Sequence, residues 1–458
     1  MTEPFPRAAP VKQYDRMQLA LLFLLAAFAL GQGVQVSNGN LHPDSIRWLT
    51  IACVLCLLGV AAPAWKWLES WGDQLPVLAA GLGIAYQLNQ LLTSTPGIYM
   101  RNVGPQGLAP YALGLMLAAL MIGAGLSKVP WAGRLQLPLL LAAFIYLGLW
   151  MVRVAPEPFI DVFYFQRDGV LALIAGSNPY ELRYRDIYGN SPFYGEGLSV
   201  NGVLQFGYPY PPLSLLLAIP GQLIGGDYRT SQVVAIALAA LLMATARPGR
   251  LGMAAAALWL FTPRAFFVIE QGWTEPFVVL GLAAVVFTAC RAPRALPFML
   301  GLFLAVKQYL VFAVPAALLL FPRPLPPRRE LLRFAAKVAI TGLAVSLPLV
   351  LWNPKEFWHD VVALQVYQPF RVEAMSYLAW HAQGGGDRLP TALAFLAGVA
   401  GVAIGLWRMP RTPAGFAATC SLAFIGFFAF NKQAFCNYYY FVIGALCVAA
   451  AAVQTEET

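Results

Sequence analysis

The sequence predicts an all-α integral membrane protein that crosses the bilayer many times. Of its 458 residues, 59% are hydrophobic and only 11% are charged, whereas soluble globular proteins contain about 45–50% apolar and about 25% charged residues. The net charge of +9 comes from Lys and Arg that cluster between apolar runs, as expected for membrane topology. These features argue against a cytosolic enzyme, a disordered scaffold and a nucleic-acid binder, so we expect a lipid bilayer as partner and no nucleic acid.

Long apolar runs predict about 13 to 14 membrane segments. A transmembrane helix needs roughly 20 apolar residues, or about 17 at the short end. Runs near this length occupy 18–33, 47–63, 75–92, 110–127, 135–152, 229–246, 251–268, 275–290, 334–352, 390–407, 413–430 and 437–453. The longer run 295–321 is interpreted as two short helices that break at Lys307-Gln308. The proline-rich segment 211–226 predicts an interrupted helix that dips into the membrane and returns.

Basic residues in alternate connections predict the side on which each connection lies. Those that follow this alternation are Arg7, Lys12, Arg16, Lys66, Lys128, Arg134, Arg247, Arg250, Arg291, Arg294, Arg323, Arg328, Arg329, Arg408 and Arg411. We therefore expect both termini on the cytoplasmic side of the cytoplasmic (inner) membrane. The polar stretches 153–210, 266–276, 353–389 and 431–437, together with the turn at Lys307, then lie on the outer, periplasmic face.

The first large outer loop, 153–210, contains the most informative pattern. Residues 161–175 predict a short interfacial helix that Asp161 caps and that ends at Gly176 and the following Asn-Pro pair. Asp161 and Asp168 are seven residues apart and share one face of this helix. For Asp161, a helix cap and a catalytic carboxylate both remain open. For Asp168, a solvated carboxylate and a binding role both remain open.

Aromatic residues continue this loop as a stiff ledge of interleaved tyrosine and proline. Tyr208 and Tyr210 belong to it, while Tyr180 follows the end of the predicted helix. Such a ledge either holds a sugar face or anchors the chain at the membrane interface. Arg264 and Glu270 lie at the next outer turn. Charges at that depth are costly unless they are paired or functional.

Lys307 lies between two apolar half-helices and is followed by Gln308. A lone cation in this setting is unfavourable without an anionic partner. One interpretation is that Lys307 binds a phosphate or another acidic substrate group. The other is an ion pair with a helix carboxylate such as Glu270.

The last large outer loop, 353–389, contains His359, Gln368, Arg371 and His381. The planar guanidinium of an arginine matches phosphate oxygens well. No short ligand spacing supports a metal at the two histidines, and no glycine-rich phosphate loop, Ser-His-Asp order or zinc motif occurs. We therefore expect neither a metal nor another cofactor.

Taken in order, these motifs resemble those of the GT-C glycosyltransferases. More narrowly, the chain is similar to glycosyltransferase family 87, the polyprenyl-phosphate-mannose-dependent mannosyltransferases. The resemblance rests on Asp161, residues 176–180, residues 210–213, Lys307-Gln308 and residues 368–371. It covers a GT-C-like core at 135–458, in which the outer loop 153–210 is catalytic and 353–389 serves the donor or acceptor. Residues 1–134 form an addition of membrane helices before this core.

The resemblance implies a GT-C fold and transfer of a sugar from a polyprenyl-phosphate donor on the outer face. Mannose or another hexose is the implied sugar, a glycolipid or polysaccharide is the acceptor, and Asp161 is the general base of an inverting displacement. Because the leaving group is already an anionic phosphate monoester, no metal is required. The residues expected to bind the donor phosphate are Lys307, Arg371, His381 and Arg264, and those expected at the sugar or acceptor are Asp168, Tyr180, Tyr208, Tyr210, Glu270, Gln308, His359 and Gln368.

Two other functions remain open at this point. A lipid-linked polysaccharide ligase or polymerase would keep Arg and His in an outer loop but would use a lipid-diphosphate donor. A transporter for lipid-linked sugars predicts charges in the middle of the spans and paired inverted repeats. Instead, the charges lie mostly at one face, and no internal repeat is visible.

Overall fold

The computed structural model describes residues 17–63, 65–101, 103–126, 132–189 and 193–454. Within these ranges the chain is almost entirely helical, which confirms the predicted all-α class. The predicted basic residues Arg7, Lys12, Arg16 and Lys128 lie outside the described residues. The assignment of the N-terminus to the cytoplasmic side therefore stays a prediction.

The N-terminal part of the chain forms six helices before the first large loop. They are α1 (Met17–Ser37), α2 (Pro43–Ala61), α3 (Lys66–Glu69), α4 (Gln74–Thr93), α5 (Pro105–Leu126) and α6 (Ala132–Val154). The loop that follows contains α7 (Asp161–Ile174), a 3-10 turn at Pro179–Glu181, and a two-stranded antiparallel hairpin of β1 (Ser199–Val200) and β2 (Val203–Leu204).

The rest of the chain returns to apolar helices with one further outer loop. The helices are α8 (Pro212–Gly225), α9 (Arg229–Ala246), α10 (Arg250–Leu260), α11 (Ala265–Gln271), α12 (Glu275–Arg291), α13 (Leu296–Leu304), α14 (Ala313–Ala316), α15 (Arg328–Trp352), α16 (Pro354–Trp358), α17 (Leu364–Tyr367), α18 (Tyr377–Gln383), α19 (Ala392–Arg408), α20 (Pro413–Ala429) and α21 (Cys436–Ala451). Short 3-10 segments, Gln308–Phe312 and Ala317–Leu320, flank α14, and a π-helical turn, His359–Ala363, joins α16 to α17.

Seven described helices are long and apolar enough to cross a membrane, or eight if α10 and α11 together form one bent span. This confirms a polytopic membrane protein, while the predicted total of 13 to 14 segments goes beyond what these lengths show. The run 251–268 was predicted as one helix, but α10 and α11 meet at 51°. Pro263 occupies this break, and Arg264 has a left-handed backbone with φ of 68°, so the helical hydrogen-bond ladder is interrupted there.

The predicted break at Lys307 is confirmed. Helix α13 ends at Leu304, and Lys307 has an extended backbone with φ of −145° and ψ of 147°. The Gln308 amide donates to the carbonyl oxygens of Pro209 and Val361, at 3.0 and 3.1 Å. These bonds join the broken span to both large outer loops.

The prediction that 211–226 is interrupted is wrong. Helix α8 continues through Pro220 to a left-handed C-cap at Gly226. Near its end, the Gly221 N–H donates to the Ser231 hydroxyl in the first turn of α9 at 2.7 Å. Helix α8 therefore runs unbroken from the end of the 153–210 loop to the turn before α9. Its Ile224 side chain is 88% exposed, as expected for a helix that contacts lipid.

Polar contacts gather the predicted outer stretches at one end of the bundle. Arg229, which is fully buried, pairs with Asp227 at 2.6 Å and donates to the carbonyl oxygens of Ala155 and Glu270. At the opposite end, the predicted cytoplasmic arginines bond to the ends of other helices: Arg247 to Ala452, Arg250 to Asp73, Arg291 to Ala246, Arg408 to Ala61 and Arg411 to Pro322. The two-sided distribution of charge is therefore present in the fold. The compartment that each side faces stays a prediction.

Helix α1 lies in the centre of the bundle and not at its edge. It packs against α2, α4 and α21, and most of its residues are buried. By contrast, only 6% of the most apolar stretch of α15 is buried. Most of the apolar surface of α15 therefore faces outward, as expected for a helix that contacts lipid. The helices before residue 134 are thus built into the same core as the C-terminal helices.

We expect Arg229→Met to destabilise the protein by about 3–5 kcal/mol, because it leaves Asp227 without its cation and removes the donor from two outer carbonyls. Equilibrium unfolding in detergent measures this loss. The matched control is Arg47→Met, since Arg47 is 77% exposed and pairs with Asp44 at 2.7 Å; we expect a change of about 1 kcal/mol or less. Equal stabilities for the two variants would contradict the role of Arg229.

Candidate functional site

A cavity of about 530 Å³ lies at the end of the bundle where the stretches predicted to be on the outer face meet. Its walls come from the start of α7, the Tyr-Pro ledge, the 353–389 loop and the turns before α2 and α21. Among the described lining residues, Asp161 is the only carboxylate and Arg371 the only cation. The remaining polar wall consists largely of side-chain amides, from Asn38, Asn40, Gln271, Gln365, Gln368, Gln433 and Asn437. Aromatic rings supply most of the rest.

Asp161 is the first residue of α7 and faces this cavity. Its Oδ1 accepts a hydrogen bond from the Val162 N–H at 2.7 Å, and its Oδ2 accepts one from the Tyr194 hydroxyl at 3.0 Å. The Asp161 N–H donates to the Tyr188 hydroxyl at 3.2 Å. The N-cap of α7 is Ile160, which makes no side-chain cap bond, so the prediction that Asp161 caps this helix is wrong. Its carboxylate accepts from one N–H of the first turn and remains at the cavity wall.

Burial raises the pKa of the Asp161 carboxyl above its ordinary value. The hydrogen bonds from Tyr194 and Val162 and the positive charge of Arg371 oppose this rise, because each stabilises the ionised form. A carboxylate with a raised pKa is a stronger base than an exposed one. Asp161 is therefore suited to accept a proton from a bound hydroxyl group.

Arg371 supplies the positive charge of the cavity. Its guanidinium lies over the ring of Phe193 at 4.2 Å and that of Phe435 at 5.1 Å, and its Nε donates to Glu373 at 2.5 Å. The Arg371 N–H donates to the carbonyl of Lys432 at 3.0 Å. These contacts hold a planar donor group in a fixed orientation, which suits recognition of phosphate oxygens.

Lys307 has the anionic partner that its position requires, but the partner is Glu275 and not Glu270. The Lys307 Nζ lies 3.3 Å from Glu275 Oε1, and both side chains are buried. The same Nζ lies 3.9 Å from the centre of the Tyr210 ring. Tyr210 lines the cavity, whereas Lys307 does not. The structure thus favours the ion-pair interpretation, with the pair supporting a wall residue.

Glu270 and Arg264 lie beside the cavity wall and are engaged elsewhere. The Glu270 carboxylate accepts hydrogen bonds from the N–H groups of Ile98 and Tyr99, at 2.9 and 2.7 Å. Arg264 donates to the carbonyl of Thr95 at 2.9 Å. Both side chains therefore hold the segment that brings Ile98 and Tyr99 to the cavity. Neither residue lines the cavity, and their predicted roles at the sugar and the phosphate stay predictions.

Two of the three predicted tyrosines, Tyr180 and Tyr208, are buried behind the cavity wall and do not line it. The Tyr180 hydroxyl donates to the carbonyl of Tyr210 at 3.0 Å, and the Tyr208 hydroxyl donates to Gln166 at 2.5 Å. Both rings are fully buried, and Gln308 holds the ledge through its bond to Pro209. Of these predicted residues, Tyr210 alone lines the cavity.

The other predicted polar residues also include one that lines the cavity and several that do not. Gln368 lines the cavity, as the sequence predicted. Asp168 instead pairs with its neighbour Arg167 at 2.7 Å, and His359 pairs with Asp360 at 2.8 Å. His381 is exposed on α18. None of these last three lines the cavity.

His359, in the 353–389 loop, belongs to a cluster of three side chains that could hold a metal ion. One ligand atom each of Glu356, His359 and Asp360 lies within 4.8 Å of the others. Glu356 also pairs with Arg183 at 2.7 Å, and Asp360 accepts from the Gly207 N–H at 2.9 Å. Burial raises the pKa of Asp360 to about 6, although its bonds lower it. These contacts account for the cluster as a link between the two outer loops, and the expectation of no metal stays a prediction.

Sequence reasoning missed the residues that bond directly to Asp161 and those of the first turn. Tyr188 and Tyr194 lie in the predicted catalytic loop, but their spacing carries no signal for contact with Asp161. Asn38 and Asn40 flank a glycine between the first two apolar runs. This Asn-Gly-Asn pattern predicts a tight turn, but its place at the cavity depends on how distant helices pack.

No protein-family model, curated protein or solved structure matches the chain. The resemblance to the GT-C glycosyltransferases therefore rests on the short motifs that the sequence contains. The chemistry of the cavity supplies the remaining basis for a functional conclusion.

We expect Lys307→Met to destabilise the protein by about 3–5 kcal/mol, because it leaves the Glu275 carboxylate buried and unpaired. The double variant Lys307→Met with Glu275→Leu removes both charges and should recover most of the loss. Unfolding of both variants in detergent tests this. Equal destabilisation by the single and the double change would show that the two side chains do not depend on each other.

Proposed function

We propose that this protein is a membrane glycosyltransferase that uses a polyprenyl-phosphate sugar as donor. The observation that carries the proposal is the presence of one carboxylate, Asp161, and one guanidinium, Arg371, in the same cavity, which is otherwise lined by amides and aromatic rings. This combination supplies a base, an anion-binding group and a carbohydrate-binding wall in one place. The lining residues Asp161, Gln368 and Arg371 also belong to the motifs on which the resemblance to family 87 rests.

The amide-rich wall suits a sugar as ligand. Side-chain amides both donate and accept hydrogen bonds, which matches hydroxyl groups that do the same. Aromatic rings such as Trp273 and Tyr438, which line the cavity, offer apolar faces with polar edges. A cavity of about 530 Å³ is within the range of small-molecule sites and has room for a sugar together with its phosphate.

In the proposed reaction, Asp161 accepts the proton of an acceptor hydroxyl. The oxygen of that hydroxyl attacks the anomeric carbon while the bond from this carbon to the phosphate oxygen breaks. The polyprenyl phosphate departs with the bonding electrons, and the single displacement inverts the anomeric centre. The raised pKa of Asp161 favours the proton transfer, and no second nucleophilic carboxylate is needed.

Arg371 is the residue that we assign to the donor phosphate. It is the cation at the cavity wall, and a fixed guanidinium stabilises negative charge that grows on the leaving group. Lys307, His381 and Arg264 were expected to share this role. Within the proposal, Lys307 acts through Tyr210, while the positions of His381 and Arg264 give them no direct contact with the phosphate.

The 353–389 loop offers a way for a lipid-linked donor to reach the cavity. Gln365 and Gln368 line the cavity, while Trp358 at the end of α16 and Val366 in α17 are 63% and 75% exposed. In the proposal, one face of this segment contacts the substrate, and the other presents apolar side chains to the lipid at the outer surface of the membrane. This arrangement suits a donor whose headgroup enters the cavity while its chain stays in lipid.

The resemblance supplies mannose or another hexose as the sugar, and a glycolipid or polysaccharide as the acceptor. A lipid-linked polysaccharide ligase or polymerase, the other enzyme considered, uses a lipid-diphosphate donor. Arg371 is the one guanidinium among the described residues that line the cavity, and this single group supports a monophosphate leaving group over a diphosphate.

We expect Asp161→Asn to reduce transfer from a polyprenyl-phosphate hexose by about 10²- to 10⁴-fold, the usual contribution of a general base. Donor affinity should stay close to that of the wild type, because the amide keeps the shape of the carboxylate. Mass spectrometry of purified protein with a donor panel and a lipid extract measures donor loss and new glycolipid.

The matched control for this experiment is Glu157→Gln in the same outer loop. Glu157 is 56% exposed and pairs with Arg101, so transfer should stay at the wild-type level. Full activity of Asp161→Asn would overturn the assignment of the base. Consumption of a lipid-diphosphate donor but of no monophosphate donor would favour the ligase instead.

The activity should decrease as the pH falls through the pKa of Asp161, because the base must be ionised. Burial raises this pKa, so we expect the acid limb of kcat/KM above the range of an exposed aspartate. Tyr194→Phe removes a hydrogen bond that lowers the pKa and should shift this limb to still higher pH. An unchanged pH profile in Tyr194→Phe would show that Asp161 does not set the acid limb.

A further inference from the structure

The turn between α1 and α2 belongs to the cavity, although it lies far from Asp161 in sequence. Asn38 and Asn40 both line the cavity. The turn is tied to the loop that contains Arg371, since the Leu41 N–H donates to the carbonyl of Glu373 at 2.8 Å and Asn40 forms a β-bridge with Ala374. The N-terminal helices therefore contribute directly to the wall beside the proposed phosphate-binding residue.

The position of this turn is fixed by close packing. Gly39 has a φ of +78°, and a Cβ atom at this position would lie 2.3 Å from the backbone nitrogen of Cys436. Only a glycine fits such a contact. Cys436 begins α21, whose next two residues, Asn437 and Tyr438, also line the cavity. The turn is thus seated against a second part of the same wall.

Asn38 has a polar atom that the protein leaves without a partner. Its Oδ1 is buried and has no hydrogen-bond partner among the described residues. A buried acceptor without a partner costs free energy, so native structures rarely keep one unless it has a purpose. The neighbouring Asn40 differs, since its amide nitrogen donates to the carbonyl of Ser37 at 3.0 Å.

The backbone of Asn38 also indicates a requirement for this residue. Its φ is 57°, in the left-handed region that glycine adopts most readily and asparagine more readily than other side chains. Glycine would satisfy the backbone alone. The asparagine therefore adds an amide group to the cavity at a place where the turn itself does not use it.

We propose that Asn38 is a binding residue for the donor sugar, whose hydroxyl group donates a hydrogen bond to the Asn38 Oδ1. The inference rests on the proposed function and deepens it, because it identifies the first turn as part of the sugar-binding wall. The donor sugar is chosen over the acceptor because the turn is bonded to Glu373 and Ala374, next to Arg371. A sugar attached to a phosphate at Arg371 lies on that side of the cavity.

The variant that tests this proposal is Asn38→Gly, which removes the amide and keeps the left-handed backbone. The matched control is Asn201→Gly, since Asn201 also has a left-handed backbone, with φ of 52°, and lies in the β1–β2 turn outside the cavity lining. Both are made alone and in the Asp161→Asn background. Donor affinity is measured by thermophoresis with an intact polyprenyl-phosphate hexose and with analogues that each lack one sugar hydroxyl.

We expect Asn38→Gly to weaken binding of the intact donor by about 2- to 10-fold, which is the effect of one neutral hydrogen bond. Asn201→Gly should bind as the wild type does. One deoxy analogue should bind the wild type more weakly than the intact donor does. Asn38→Gly should bind this analogue and the intact donor equally well, because the hydroxyl and the amide are partners. Thermal unfolding of the two variants should be similar.

Wild-type affinity of Asn38→Gly for the intact donor would overturn the assignment. So would an equal response of wild type and variant to every deoxy analogue. If the wild type binds a donor but transfers no sugar, the proposed function fails while these affinities still decide the role of Asn38. If the wild type binds no donor in the panel, both proposals fail together.

Discussion

The high cost of an unpaired charge in an apolar bundle governs the end of this protein at which the cavity lies. Arg229 is fully buried and stays so by pairing with Asp227 and bonding to the outer carbonyls of Ala155 and Glu270. Lys307 and Glu275 pair for the same reason, beneath Tyr210. Because each charge must find a partner, separate membrane segments are held together at one level, and the cavity forms where they meet.

Asp161 and Arg371, the base and the cation of the proposed site, lie at the cavity wall and not inside the bundle. Both side chains are partly buried and are held by hydrogen bonds. Aromatic rings from Phe193 and Phe435 flank the guanidinium, while Tyr194 orients the carboxylate. The buried pairs supply rigidity, whereas within the proposed function the two residues at the cavity wall supply the chemistry. This separation explains why several predicted binding residues turn out to be supports.

The N-terminal helices are part of this arrangement. Helix α1 is buried among α2, α4 and α21, and the turn that follows it is locked to the 353–389 loop. A division of the chain near residue 134 therefore separates pieces that build one wall. Within the proposed function, the added helices complete the cavity on the side of Arg371, which gives them a role that their apolar composition does not reveal.

The sequence by itself determined the membrane class, the bounds of most helices, the break at Lys307 and the candidacy of Asp161, Arg371, Tyr210 and Gln368. These follow from local quantities: apolar length, charge placement and turn residues. Tertiary structure decided that Glu275 and not Glu270 pairs with Lys307, that α8 is continuous, and that Tyr194 and Asn38 reach the cavity. Those contacts join residues far apart in the chain, so helix packing sets them, and no local pattern encodes that packing.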